Sequence, residues 1–216
     1  MLIPKKIHIV WIGDETKTPV KLIDTWRKNN PDWQVVLWDN TALSGNKWIN
    51  TKHIIDMLKA GYFCGAADIM RYEILFNEGG FAVDADSISL RPLEDWLFDS
   101  HVCTTWENEI TRPGLIANGY LASAPQTALL AEVISTITET RLITADLPWK
   151  MTGPGLLTEV YRKNKYANIT VWPSHYFLPE HFTGQRYLGS GHIFAKQLWG
   201  STRGISNKLC DITLKR

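Results

Sequence analysis

Gly79-Gly80-Phe81-Ala82-Val83-Asp84-Ala85-Asp86 is the stretch on which the fold turns. A glycine pair stops the helix before it, an apolar strand-like run follows, and the run ends in two carboxylates one residue apart. Residues i and i+2 of a strand project to the same side. Asp84 and Asp86 are therefore expected to converge on one point at the end of a buried strand. Two hard oxygen donors at such a point suit a divalent cation that carries phosphate, Mn²⁺ or Mg²⁺. Asp-x-Asp triplets are common in solvated loops, and it is the buried run before this one that gives it meaning.

Upstream, residues 6–12 alternate and are rich in β-branched side chains, which predicts a first buried strand. Thr18-Pro19 opens a helix over 20–29 that Asn30-Pro31 closes, and residues 34–38 read as a second strand. Helices are predicted over 51–59 and 66–78. Beyond the aspartates come a short helix over 92–98, strands over 101–106 and 119–122, and a helix over 125–141. A helix begins at Thr152-Gly153-Pro154-Gly155 and runs to about 163, then a strand over 169–172. The tail from Gly189 is irregular. This alternation predicts one α/β domain over 1–216, a sheet flanked by helices. Ligands collect at the carboxyl ends of such strands, where Trp11 and the Asp84/Asp86 pair both fall.

Composition narrows the function. In 216 residues, 23 basic and 22 acidic side chains nearly cancel, which argues against a nucleic-acid partner. The three cysteines are scattered and suggest neither a disulfide framework nor a zinc site. No apolar run is long enough for a transmembrane helix, and Ile7 to Ile12 is too short for a signal h-region plus cleavage site, so no secretory leader is expected. A cytoplasmic protein is expected. Ten tryptophans are many for this length. Packing must explain most of them, but two or three are expected to stack on sugar or base rings.

The helix Ala66-Ala67-Asp68-Ile69-Met70-Arg71-Tyr72-Glu73-Ile74-Leu75-Phe76 is apolar nearly all round, the mark of a buried helix. Asp68 and Arg71 sit three apart and share a face. They form either an ion pair that neutralises two buried charges or a polar face turned onto the Asp84/Asp86 site. In the second case Asp68 accepts hydrogen bonds from sugar hydroxyls, and Arg71 neutralises a phosphate or holds Asp68.

These segments, in this order, resemble one family. They are Ile3-Pro4-Lys5-Lys6-Ile7-His8-Ile9-Val10-Trp11-Ile12-Gly13, Ala66-Ala67-Asp68-Ile69-Met70-Arg71-Tyr72 and the Gly79–Asp86 stretch. Ile116-Ala117-Asn118-Gly119-Tyr120-Leu121-Ala122-Ser123-Ala124-Pro125, Thr152-Gly153-Pro154-Gly155 and Trp199-Gly200-Ser201 continue the match. The chain is similar to glycosyltransferase family 32, the Asp-x-Asp sugar-binding-region transferases. These include capsular polysaccharide and yeast mannosyltransferases, with the clostridial glucosylating toxin domains as distant kin.

The resemblance implies a GT-A-type fold with a mixed central sheet, a UDP- or GDP-sugar donor, Mn²⁺ (or Mg²⁺) and transfer with retention. By position, Trp11 stacks on the donor base beside backbone groups of Val10, and Asp68 and Arg71 hold the donor sugar. Asp84 contacts ribose, sugar or metal, Asp86 ligates the metal, and Asn118 sits beside the transferred sugar. Trp199 and Ser201 lie on a loop closing over the pyrophosphate. The acceptor implied is a glycan or lipid-linked saccharide in surface polysaccharide synthesis, the latter bringing the protein to a membrane surface. Two departures stand out: Ala82 replaces a common Tyr, and Lys196-Gln197-Leu198 replaces a common His before the tryptophan. His192, slightly upstream, is the candidate third metal or phosphate contact.

A strand ending in Asp-x-Asp also opens haloacid-dehalogenase-type phosphatases, whose first aspartate is the nucleophile. That reading needs a downstream lysine and an acidic pair, and it leaves Trp11 and the Asp68/Arg71 helix without a role. A non-catalytic carbohydrate-binding protein would use the tryptophans alone, but such modules are usually all-β.

Overall fold

In the computed structural model, which describes residues 2–213, strand and helix alternate as the patterning predicts. The chain runs β1 (Lys6–Val10), α1 (Val20–Asn29), β2 (Gln34–Trp38), α2 (Asn40–Gly45), α3 (Thr51–Lys59), α4 (Phe63–Glu78), β3 (Gly80–Val83) and β4 (Ser87–Ser89). It continues with β5 (Val102–Asn108), β6 (Arg112–Ser123), α5 (Ala128–Glu139), α6 (Pro148–Met151), α7 (Pro154–Lys163), β7 (Ile169–Trp172) and β8 (Ala195–Gln197). Six strands form a mixed sheet in the order β2-β1-β3-β6-β5-β7. β6 alone runs against the others, since it pairs antiparallel with both β3 and β5 while the remaining pairs are parallel.

One face of the sheet packs against α3, α4, α5 and α7 through Met57, Ile69, Leu75, Leu130, Val133 and Leu157. The other buries an aromatic cluster around Phe81, whose ring meets Trp26, Phe98, Trp172 and Phe177 edge-on. Trp26 and Trp172 are accounted for by this packing, as is Trp33 against Phe98. Glu73 of α4 accepts from the Ile49 and Asn50 amides at 2.6 and 2.8 Å, so a buried carboxylate caps the start of α3.

The Gly79-Gly80 pair does two jobs. Both residues have positive φ (65° and 108°), which ends α4 and turns the chain straight into β3. A Cβ on Gly80 would lie 2.7 Å from the Lys6 carbonyl and 2.8 Å from the His8 ring, so only glycine lets β3 lie against β1. The His8 ring lies between the Gly79 carbonyl (2.8 Å from Nε2) and the Trp38 indole, which donates to Nδ1 at 3.1 Å. That pattern leaves Nε2 carrying the proton. Burial pushes the His8 pKa below its ordinary value.

The tail read as irregular contains one strand. β8 pairs antiparallel with β4 in a separate two-stranded sheet, Ser87 opposite Gln197 and Ser89 opposite Ala195. Beyond it the chain forms a strap, ending in a short 3₁₀ helix over Ser206–Asp211. Leu209 of that helix packs with Leu22 and Ile88.

Candidate active site

The carboxyl ends of β1, β3 and β5 open into a cavity of about 690 Å³ lined by Val10, Trp11, Asp68, Arg71, Asp84, Asp86, Asn118, Trp199 and Ser201. The topology brings together every one of these residues singled out in the sequence, from segments up to 191 positions apart. His192 is not brought there. It is exposed, takes a hydrogen bond from Arg91 at 2.8 Å and lies beside Trp96 and Phe194, outside the cavity lining. Its ring side chain suggested a ligand, but β8 begins only at Ala195 and carries Gln197, not His192, to the carboxylates.

Asp84 and Asp86 converge, though not by strand pleat. β3 ends at Val83, and the two residues belong to a turn in which the Ser87 amide donates to the Asp84 carbonyl at 3.2 Å. Their convergence is set by partners. Arg71 binds Asp84 Oδ1, and Gln197 Nε2 donates to Asp84 Oδ2 at 2.9 Å and Asp86 Oδ1 at 2.7 Å. The Gly200 amide donates to Asp86 Oδ2. Gly119 faces this turn from β6, where any Cβ would fall 2.4 Å from Asp84 Oδ2, so the carboxylate occupies the space a side chain would need.

Arg71 is buried and sits at the centre of the charge arrangement. Nη1 donates to Asp68 Oδ1 at 3.2 Å and to the Asn118 carbonyl at 2.9 Å, while Nη2 reaches Asp84. Asn118 Nδ2 donates to Asp68 Oδ1 at 2.7 Å, and Thr152 Oγ1 to Oδ2 at 3.3 Å. The ion-pair and site readings of Asp68/Arg71 are thus the same arrangement. Burial lifts the Asp68 carboxyl to about 7 against the pull of Arg71. Burial, and then repulsion from Asp84, lifts Asp86 to about 7 as well.

Gln197 is the site residue the sequence reading missed. An amide side chain in an irregular tail carries no spacing signal, and only the β4–β8 pairing aims it inward. Among the described residues, Gln197 Oε1 and the Tyr120 hydroxyl are the buried side-chain polar atoms without a hydrogen-bond partner. Both residues line this cavity. No group of three His, Cys, Asp or Glu side chains clusters as a metal site among the described residues. Asp84, Asp86 and an amide oxygen nevertheless make a hard oxygen set suited to Mn²⁺ or Mg²⁺. The Gln197 N–H group stands between the two carboxylates where a cation would be attracted, and its orphaned oxygen could turn to join them. The donor set fits a divalent ion.

Residues 16–103 match the family model "Glycosyltransferase sugar-binding region containing DXD motif". That stretch of the chain is similar to the DXD sugar-binding region of glycosyltransferases. The match takes in Asp68, Arg71, Asp84 and Asp86. The chain is 30% identical over 122 residues to an initiation-specific alpha-1,6-mannosyltransferase of Candida albicans, covering 52% of this chain and 31% of that protein. It is 22% identical over 122 residues to subversion of eukaryotic traffic protein A of Legionella pneumophila, covering 44% of this chain and 19% of that protein. The chain thus spans less than a third of either relative's length.

Among solved structures, it is similar to the PaToxG glycosyltransferase with a TM-score of 0.60 at 18% identity, over 74% of this chain and 69% of that one. A glycosyltransferase involved in glycosylation of the major capsid of PBCV-1 aligns with a TM-score of 0.56 at 14% identity, over 96% of this chain and 98% of that one. The glycosyltransferase domain of the YGT toxin aligns with a TM-score of 0.56 at 10% identity, over 99% and 87%. The family-model match bears out the DXD glycosyltransferase resemblance over residues 16–103, and the solved structures bear out the GT-A-type mixed sheet flanked by helices.

Proposed function

We propose that this chain is a metal-dependent, retaining glycosyltransferase that moves a hexose from a UDP- or GDP-sugar to a saccharide or lipid-linked saccharide acceptor in surface polysaccharide synthesis. The observation that carries the reading is the Asp84/Asp86 pair, turned toward one cavity with Arg71, Asp68 and Asn118 on one side and Trp11 on another. The phosphatase reading leaves that joint arrangement unused.

Asp84, Asp86 and Gln197 would hold the divalent ion. When bound, it supplies Lewis-acid stabilisation of the charge that develops on the departing diphosphate. The protein's own groups do the rest. The indole of Trp11, half-buried and fixed by its N–H to the Asp14 carbonyl at 3.1 Å, offers a face to the nucleobase. Asp68 and Asn118, locked to each other and to Arg71, present oxygen and amide groups to the hydroxyls of the donor sugar. Asp68, with its carboxyl near 7, holds or accepts a proton in that pairing around neutrality. Trp199 and Ser201 on the strap line the cavity and would close over the pyrophosphate of a bound donor. Retention is assigned to attack from the face of departure, with the leaving phosphate accepting the acceptor's proton.

No helix among the described residues is long and apolar enough to cross a membrane. A cytoplasmic site of action, at the inner membrane face when the acceptor is lipid-linked, belongs to the same proposal.

The test is a thermal-shift and calorimetric panel of UDP, GDP and their sugars with and without Mn²⁺. Stabilisation by one nucleotide that requires Mn²⁺ is expected, and binding of none under any metal condition would sink the reading.

A further inference from the structure

We propose that the β5–β6 end of the same cavity is an acceptor subsite for a saccharide, read by Trp149, Phe182, Arg112 and Glu107. The inference deepens the transferase reading and rests on it. In the sheet order, β1 and β3 carry Trp11 and the Asp84/Asp86 turn, while β5 lies two strands beyond β3, with β6 between. Across the sheet β5 lies about 10 Å from β3, at roughly 4.8 Å per strand. It also runs further along, Asn108 opposite Arg112 where the β3 end, Val83, is opposite Tyr120, so a pyranose held over Asp68 and Asn118 has room short of the hairpin. A second sugar seated beyond it meets the β5–β6 hairpin. Glu107, Arg112, Trp149 and Phe182 line the cavity and are not among the residues assigned above to the donor.

Their chemistry suits a sugar ring. Trp149 is 39% exposed although it lines the cavity, with Lys150 Nζ 5.6 Å from its ring, so the part of the indole left open offers apolar surface to an incoming ring. The Arg112 guanidinium sits between two rings, 5.2 Å from Trp149 and 5.7 Å from Phe182. The aromatic surfaces match the C–H face of a pyranose.

At their edge stand a donor and an acceptor. Arg112 Nε lies 3.9 Å from Glu107 Oε1, too far for a hydrogen bond. A hydroxyl set to one side of the pair, within hydrogen-bond reach of both, donates to Glu107 and accepts from Arg112. Glu107 is buried and fixed by His181 Nε2 at 3.3 Å, so its position is set before any ligand arrives.

The experiment uses the whole chain with Mg²⁺ and whichever of UDP or GDP binds. It is titrated with methyl α- and β-glycosides of glucose, galactose and mannose, and with their disaccharides, followed by saturation-transfer NMR and calorimetry. At least one glycoside is expected to bind. Trp149→Ala should weaken it about tenfold, the scale of one lost stacking contact, and Glu107→Gln should weaken it several-fold, with the nucleotide affinity moving less than either. Glutamine matches glutamate in size, which guards against misfolding as the cause. The proposal is overturned if the nucleotide binds but no glycoside does, or if both variants bind the glycoside as wild type does; the transferase reading survives either result. Loss of nucleotide binding in wild type, with glycoside binding still dependent on Trp149, overturns the acceptor role and the transferase reading together.

Discussion

The sheet-side wall of the cavity and the strap that closes it are built in opposite ways. The wall draws on long elements. Asp68 and Arg71 lie on the 16-residue helix α4, and Arg71 is held by groups from α4, β6 and the turn after β3. The strap and the three-residue strand β8 that leads into it reach the wall through the Gln197 amide of β8, the Leu198 amide on the Asp86 carbonyl at 2.9 Å and the Gly200 amide. The strap also holds Trp199 at φ 59°, a region bulky side chains rarely adopt. Its indole is pinned to the Glu180 carbonyl at 2.9 Å, and Phe182 packs against it edge-on. The wall is positioned whether or not a ligand is present, and the strap is fastened to the very carboxylates a metal ion would need. Occupancy of the site and the grip of the strap are therefore linked.

The comparison breaks most visibly at Arg71. Arg71→Met leaves Asp68 and Asp84 facing each other without their cation, at an expected cost of about 3–5 kcal/mol in urea unfolding. A loss below about 1 kcal/mol would show that the wall is not held by charge.

Asp86→Ala acts on both sides at once. It should weaken Mn²⁺-dependent nucleotide binding on the order of a hundredfold or more, since direct ligation exceeds the effect of outer partners. It should also free the Gly200 amide and speed proteolysis of the strap. Chelation of the metal from wild type should reproduce the first effect and not the second.

Trp11→Ala is expected to cost about tenfold in nucleotide affinity by calorimetry, with the metal requirement intact. Gln197→Ala should leave global stability within about 1.5 kcal/mol while protease cleavage between residues 198 and 205 accelerates. Equal protection of wall and strap in that variant would refute the difference drawn between them.

The smallest effect tests the scaffold alone. His8 has its pKa depressed by burial, so the unfolded chain binds the proton more readily than the folded one. Stability from this group is complete above its ordinary value of 6.5 and is lost as pH falls through and below it. Urea midpoints at pH 7.5 and 5.5 should differ less in His8→Gln than in wild type.

Where the periodicity was strong, the elements fell where the sequence placed them. The helix over 20–29, the strand over 34–38, the helix over 51–59 and the strand over 169–172 match residue for residue. α4 begins three residues earlier than expected, at Phe63, and β6 is far longer than the segment 119–122 because its pairing with β5 extends beyond the locally apolar part. α2 and α6 were not foreseen, being too short to develop an apolar period. Of the ten tryptophans, Trp11, Trp149 and Trp199 line the cavity.

The chain by itself determined the α/β alternation, the buried α4 helix and the identity of the charged groups, because each depends on local period and residue type. It also located the Asp84/Asp86 turn, since a glycine pair and an apolar run say where a helix must stop and a strand must end. Only the tertiary structure decided what surrounds those carboxylates. Gln197 and not His192 faces them, and Glu107 and Arg112 stand at the far end of the same cavity. The physical reason is that a side chain's partners across a site are set by strand order and register, which link residues more than a hundred positions apart and leave no mark on either one's neighbours in sequence.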